Sequence, residues 1–275
     1  MNERDEAPGR GAQLSETARA WDRVAPKYAA ELAQHVAELR AGTLSFEPRE
    51  SPLLRDLVHA GGRVLHLQCS HGQDALSLWR LGATEVIGLD VSREMLALAR
   101  EKTAQLDAPV RFIEADVLDP PAELNAWADV IYTGKGALPW MRDIGEWASV
   151  IARLLRPGGR VFVFEGHPLN TLWADDATKV VLREDRDYFG IGARANDDFP
   201  ALAVEVRTPA GEAPPIAWEF QWTLGAIVNA VLGAGLVLER LDEFPEHFWP
   251  EFAHVPPAML GRLPHTFLLV ARLPR

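Results

Sequence analysis

Cysteine is almost missing from this chain of 275 residues: Cys69 stands alone, so no intrachain disulfide can form, which suits a reducing cytoplasm. Basic residues are scarce beside acids, 28 Lys and Arg against 39 Asp and Glu, for a formal net charge of −11. That balance argues against a nucleic-acid backbone as main partner, because phosphate binding needs a concentrated Lys/Arg surface. Long apolar runs are lacking too. The longest, Gly225 to Leu238, is interrupted by Asn229 and is too short to span a bilayer. Residues Met1 to Arg10 mix both charge signs around no apolar centre, unlike a signal peptide. No His/carboxylate spacing of the H-E-x-x-H kind appears, so no metal site is expected. The expectation is a soluble, cytoplasmic protein without a membrane segment.

What is present is an ordinary folded composition, 48% hydrophobic and 24% charged, which separates the chain from disordered ones. The length exceeds one domain of common size and falls short of two, so we expect one large domain with additions. Residues 1–13 read as a tail. From Ser15 to Arg40 apolar residues recur every three or four positions, a helical stripe that Pro26 is expected to break in two. Ser51-Pro52 opens a short helix that ends at Gly61-Gly62.

Short apolar runs then alternate with amphipathic stretches. Strands are predicted at Arg63–Gln68, Glu85–Asp90, Val110–Glu114, Asp129–Thr133 and Arg160–Glu165. Helices are predicted at Gln73–Leu81, Arg93–Lys102 and Ile144–Leu155. This rhythm implies βαβ units and a doubly wound parallel α/β sheet. It stops at Pro168. Residues 169–221 hold weaker strand signals at Leu202–Arg207 and Ile216–Trp222; a helix at Thr223–Ala234 and strands at Leu236–Leu241 and His265–Leu273 follow.

Chemistry concentrates at the carboxyl ends of these strands. Arg63 to Gly72 is a strand running into a small-residue turn before a helix, the place where doubly wound sheets receive nucleotide-like ligands. The turn departs from G-x-G-x-x-G, with Gln68 and Ser70 at glycine-type positions. Asp90, eighteen residues beyond Gly72, can accept both hydroxyl hydrogens of a ribose. Asp116 can accept an adenine amino hydrogen while the Val117 N–H meets a ring nitrogen.

The ordered set Val64–Gly72, Asp90, Asp116, Asp129–Gly134 and Leu155-Arg-Pro-Gly-Gly159 resembles a class I S-adenosylmethionine-dependent methyltransferase. The likeness covers about residues 20–168 and the terminal helix and strands. Where that family's first motif has an acid followed by alternate glycines, this chain has His66, Gln68, Ser70 and Gly72. The run Leu65-His-Leu-Gln-Cys69 with Gly72-Gln-Asp74, and Tyr132-Thr133, Trp140, Trp147 and Glu165-Gly-His-Pro168, is similar to a bacterial subgroup.

The resemblance implies a Rossmann-like seven-stranded sheet with an antiparallel last strand. It implies an N-terminal helical lid over 14–60 and a cofactor domain over 61–275, interrupted on the substrate side by 169–221. It implies S-adenosylmethionine as cofactor, S-adenosylhomocysteine as product and a small-molecule methyl acceptor. By the same likeness Gln68, Cys69, Ser70 and Gly72 would contact the cofactor, the last three along its methionine. Asp90 and Val91 would meet the ribose, Asp116 and Val117 the adenine, and Thr133 and Gly134 the sulfonium. Tyr28, with Trp21, would lie in the lid.

His167, at the end of the fifth strand, is the candidate general base and a candidate substrate contact. Trp140 and Trp173 are candidate substrate contacts among nine tryptophans, with Trp218, Trp222 and Trp249 near the same strand ends. Cys69 reads as a small apolar residue rather than a nucleophile. A non-catalytic cofactor-binding sensor or scaffold is the alternative, and a nicotinamide-dependent oxidoreductase is a third reading. The insertion leaves a homodimer open.

Overall fold

A computed structural model describes residues 9–58, 62–174, 178–190, 192–196, 216–249 and 252–275. Helices α1 (Arg10–Arg40) and α2 (Ser51–Val58) precede the sheet. The alternating unit is β1 (Arg63–Leu67), α3 (Gln73–Arg80), β2 (Glu85–Asp90), α4 (Arg93–Leu106) and β3 (Val110–Glu114). It continues through β4 (Ala128–Gly134), α5 (Ile144–Leu154) and β5 (Leu155–Gly166). The hairpin strands β6 (Ala193–Asn196) and β7 (Ala217–Phe220) follow, then α6 (Leu224–Gly233), β8 (Val237–Phe244) and β9 (Thr266–Arg272).

Seven strands form one sheet in the order β3-β2-β1-β4-β5-β9-β8. The first five run parallel; β9 is antiparallel to both β5 and β8. The expected α/β class, seven strands and antiparallel final strand are all found. Strand order reverses between β1 and β4, which opens a crevice beyond their carboxyl ends.

Burial on both faces explains the apolar character of the strands. Leu65, Leu67, Ile131 and Val161 pack toward α5 and α6, around Trp147, Ile151 and Ile227. Val64, Val86, Tyr132 and Phe162 pack toward α2, α3 and α4, around Leu54, Leu76 and Leu96. Gly134, at φ +153°, touches β5 so closely that a Cβ would meet the Phe164 carbonyl oxygen at 1.9 Å; only glycine fits there.

Two expectations about the N-terminal segment are corrected. The helix is continuous through Pro26, and it begins at Arg10, inside the stretch read as a tail. Proline costs about 3 kcal/mol inside a helix, and packing offsets it here: Ala20, Val24 and Ala25 are buried against Met95 of α4. The start of the helix is held by the hairpin. The Trp218 backbone N–H donates to Thr17 Oγ1 at 3.0 Å, and Trp218 Nε1 donates to Glu16 Oε2 at 2.5 Å. Neither contact is visible in local composition. Strand β6 carries no period-two signal and forms by pairing with β7; the signal at Leu202–Arg207 lies outside the described residues.

A buried ion network ties the segment between α1 and α2 to the sheet. Lys135 Nζ sits 3.0 Å from Glu50 Oε1, 3.2 Å from Asp74 Oδ2 and 2.8 Å from the Ser45 carbonyl. Tyr132 donates its hydroxyl to Glu50 Oε2 at 2.9 Å. Burial raises the Glu50 carboxyl. Burial would raise Asp74 too, but Lys135, His66 and Ser45 outweigh it and hold that carboxyl below its usual range. Replacing Lys135 with Met leaves two buried acids uncompensated, a loss of about 3–5 kcal/mol. Urea unfolding of Lys135→Met should show it, and a loss under about 1 kcal/mol would contradict the network's importance.

Candidate functional site

The crevice at the switch point is built on the turn after β1. Gln68, Ser70 and Gly72 alternate in the left-handed region, at φ 55°, 48° and 78°. These are the positions where the resembled motif carries glycines, and two of them hold side chains at a cost of about 1–2 kcal/mol each. A Cβ at Gly72 would come within 2.7 Å of Ala99 and Phe112, so this position keeps its glycine.

Asp90 fixes the turn. Its Oδ2 accepts the Ser70 N–H at 2.7 Å and its Oδ1 the Ser92 N–H at 2.9 Å. Ser92 caps α4 by accepting the Met95 N–H and donates its own hydroxyl to Asp22 of α1 at 2.6 Å. Burial pushes the Asp90 carboxyl up to about 6, despite the backbone donors at Ser92, Ser70 and Val91. Asp116 accepts the Leu118 N–H and pairs with Arg142 at 2.7 Å, and Val117 beside it is buried. The set Gln68, Cys69, Ser70, Gly72, Asp90, Val91, Asp116, Val117, Thr133 and Gly134 thus falls at the ends of β1 to β4 and the turns that follow them.

Among the buried polar atoms without a hydrogen-bond partner in the described residues are His66 Nδ1, Gln68 Oε1 and Thr133 Oγ1. Gln68 is oriented by its Nε2, which donates to the Ala137 carbonyl at 2.7 Å. Gln68 directly follows β1 and Thr133 stands one residue before the end of β4, so some of this unmet polar capacity lies at the two strands that flank the switch point. Burial lowers His66 to about 4, leaving a neutral ring where the resembled motif has an acid. Burial pushes the Cys69 thiol well up, in keeping with a packing role rather than a nucleophilic one.

Helix α1 covers the crevice through a stack of rings. Tyr28 lies on His71 at 4.3 Å and His35 lies on His71 at 5.2 Å. Beneath them Lys102 of α4, wholly buried, has its Nζ 2.5 Å from His71 Nδ1, 3.3 Å from His35 Nδ1 and 3.4 Å from Gln73 Oε1. Nothing in the sequence marks this lysine, which sits in a charged helical stretch. Tyr28 therefore contacts the turn through His71, and Trp21 meets Trp140 edge-on at 5.5 Å.

A cavity of ≈ 160 Å³ opens beyond β5, between the loop after β4 and the segment after β8. Phe220, Trp222, Phe248 and Trp249 wall it. Trp140 and Trp173 are not among its lining residues: Trp140 packs against Trp21 of α1, and Trp173 bridges to Leu182. His167 does line it, with both ring nitrogens engaged. Nδ1 accepts the Leu169 N–H at 3.2 Å, Nε2 meets Glu243 Oε1 at 2.9 Å, and the side chain is 4% exposed. Burial lowers its pKa against the pull of Glu243.

Glu165 is the residue whose role the sequence did not reveal. Its buried carboxylate accepts four backbone N–H groups, from Gly136 (2.5 Å), Ala137 (2.7 Å), Leu138 (3.0 Å) and Gly166 (2.7 Å), and so clasps the β4 loop to β5. Phe248 and His265 join the cavity only because β8 and β9 return beside β5, a pairing no local pattern announces.

With this geometry in place, comparison with known proteins is informative. Residues 64–159 match the methyltransferase-domain family. Over 115 residues the chain is 35% identical to the demethylmenaquinone methyltransferase of Thermus thermophilus, covering 41% of this chain and 50% of that protein. Over 102 residues it is 35% identical to the ubiquinone biosynthesis O-methyltransferase of Proteus mirabilis, covering 37% and 41%. The chain thus spans about half the length of the curated relatives it matches. The crystal structure of an S-adenosylmethionine-dependent methyltransferase from Mesorhizobium loti superposes with TM-score 0.59 at 26% identity, over 80% of this chain and 96% of that one. The fold is that of a Rossmann-like methyltransferase. Residues 64–159 thus carry a methyltransferase domain, within a fold similar to that of an S-adenosylmethionine-dependent methyltransferase. No helix among the described residues is long and apolar enough to cross a membrane.

The buried lysine yields a test. Burial lowers Lys102 from its ordinary value to about 7, so between about pH 7 and 10 the unfolded chain binds more protons than the folded one. Stability should therefore rise with pH across that window, by at most about 1.4 kcal/mol per unit. Urea unfolding at pH 7, 8 and 9 should show the rise in the parent and a flatter profile in Lys102→Met. Equal slopes would remove Lys102 as the cause.

Proposed function

We propose that the protein transfers a methyl group from S-adenosylmethionine to a small molecule. The observation that carries the reading is the Asp90-pinned, left-handed turn at the switch point, bordered by buried polar atoms that lack partners. The residues fit the cofactor's chemistry. Asp90, with Val91, would hold the ribose hydroxyls; Asp116 and Val117 would receive the adenine. Gln68, Cys69, Ser70 and Gly72 would contact the cofactor, the last three along its methionine, and Thr133 and Gly134 would border the sulfonium. Tyr28 would act by holding His71 and the turn in place.

Bound S-adenosylmethionine supplies an electrophilic methyl group and leaves as S-adenosylhomocysteine. The protein's share is positioning and exclusion of water, which in-line displacement chiefly requires. Helix α1 closes over the turn, and the Glu165 clasp sets the loop that separates the crevice from the aromatic cavity. The net charge of −11 favours a small acceptor over a nucleic acid. The quinone names of the curated relatives make quinols the first acceptors to test.

Isothermal titration with S-adenosylhomocysteine should show binding that Asp90→Ala weakens about tenfold or more, for the loss of a charge-assisted hydrogen bond. The affinity should also fall as pH drops from 7 to 5, because Asp90 protonates near 6 and a neutral carboxyl cannot accept both ribose hydrogens. The fold itself should not weaken on that account. A carboxyl raised above its unfolded value contributes stability as pH falls, not as it rises. No binding of either S-adenosylmethionine or S-adenosylhomocysteine would overturn the reading. Tight binding with no methyl transfer to any acceptor in a broad panel would favour the sensor or scaffold.

A further inference from the structure

The aromatic cavity has a chemical character of its own, set by how its polar groups are spent. Glu165 is saturated by its four backbone donors, and His167 by Leu169 and Glu243. Asn170 donates to the His265 carbonyl at 2.8 Å and presents Oδ1 to His265 Nδ1 at 3.0 Å; His265 Nε2 faces the Leu260 carbonyl at 3.0 Å. Thr171 bonds Gln221, whose amide donates to the Pro168 carbonyl, and Trp222 gives its indole N–H to the Met141 carbonyl. These side chains are turned to one another. What they leave for an occupant is aromatic and aliphatic surface from Phe220, Trp222, Phe248, Trp249, Leu138 and Ile227, with the ring of His247 stacked on His265 at 3.7 Å beside it.

None of the described lining residues is Lys or Arg. An anionic occupant would find no guanidinium or ammonium, and it would meet the buried carboxylate of Glu165 and, behind His167, the half-exposed one of Glu243. A protonated amine would need acceptors for its N–H groups, and the carboxylate and carbonyls named above already have donors or ring partners. Either charge would lose its hydration without replacement. The size is also restrictive: an engineered cavity of about 150 Å³ holds a benzene, so ≈ 160 Å³ suits one ring or two fused ones.

We propose that this cavity receives an uncharged, largely apolar ring compound, held by its faces against Phe220, Trp222, Phe248 and Trp249 rather than by an ionic contact. The assignment rests on the methyl-transfer reading for the cavity's purpose and goes beyond it in naming the acceptor's class.

The test uses three probes of one shape: 2-naphthol, 2-naphthoate and 2-naphthylmethylammonium, titrated at pH 7 into the full chain saturated with S-adenosylhomocysteine. Tryptophan fluorescence and calorimetry report binding. The neutral naphthol should bind at least tenfold more tightly than either ion. Phe248→Leu should weaken naphthol several-fold while leaving S-adenosylhomocysteine affinity unchanged. Equal or tighter binding of either ion would overturn the proposal, and so would failure of naphthol to bind protein that still takes up S-adenosylhomocysteine. Loss of S-adenosylhomocysteine binding would instead strike the methyl-transfer reading, and naphthol selectivity measured without it would still decide the cavity.

Discussion

One carboxylate organises the crevice. Asp90 reaches from the end of β2 to the Ser70 N–H in the turn after β1 and to the Ser92 N–H at the start of α4. Without that tie, nothing else described would repay the left-handed backbone of Ser70, a conformation that costs a side-chain-bearing residue about 1–2 kcal/mol. The turn gains its shape from the neighbouring strand, not from its own sequence. That is why serine and glutamine can stand where glycines serve elsewhere. The carboxylate is costly to hold in turn, since burial pushes it toward the neutral form, and such perturbed groups gather at functional sites.

From this tie the rest of the site extends outward. Ser92 passes the connection to Asp22, which fastens α1 over the α4 end of the crevice. A second attachment runs from α4 through Lys102 to His71 and His35, so the covering helix and the turn share one buried amine. On the far side Glu165 performs the corresponding task for the β4 loop, and Gln68 links that loop back to β1 through the Ala137 carbonyl. The crevice and the aromatic cavity are therefore neighbours across a single clasped loop.

Much of this was legible in the sequence, for physical reasons. Strands buried on both faces must be continuous apolar runs, so β1 to β5 stood out, and the carboxyl ends of such strands are where a doubly wound fold receives ligands. Asp90 and Asp116 could be found by position alone. Long-range contacts were not legible. Pro26 looked like a break because its cost is local, whereas the packing of Val24 and Ala25 that offsets it comes from α4. Lys102 looked like one more charge on a helix surface until the fold buried it. His167 lines the cavity, and only geometry shows both its ring nitrogens engaged. Trp140 and Trp173 shared a composition signal with Trp222 and Trp249, and composition says nothing about which way a ring turns.

The central claim is that the turn 68–72, pinned by Asp90, is the seat of the cofactor. Amide hydrogen exchange of the full chain with and without S-adenosylhomocysteine tests it most directly. The account predicts added protection concentrated in residues 68–74, 90–95 and 132–136, with little change in β8 and β9. Protection confined to another part of the fold, or none at saturating ligand, would contradict it.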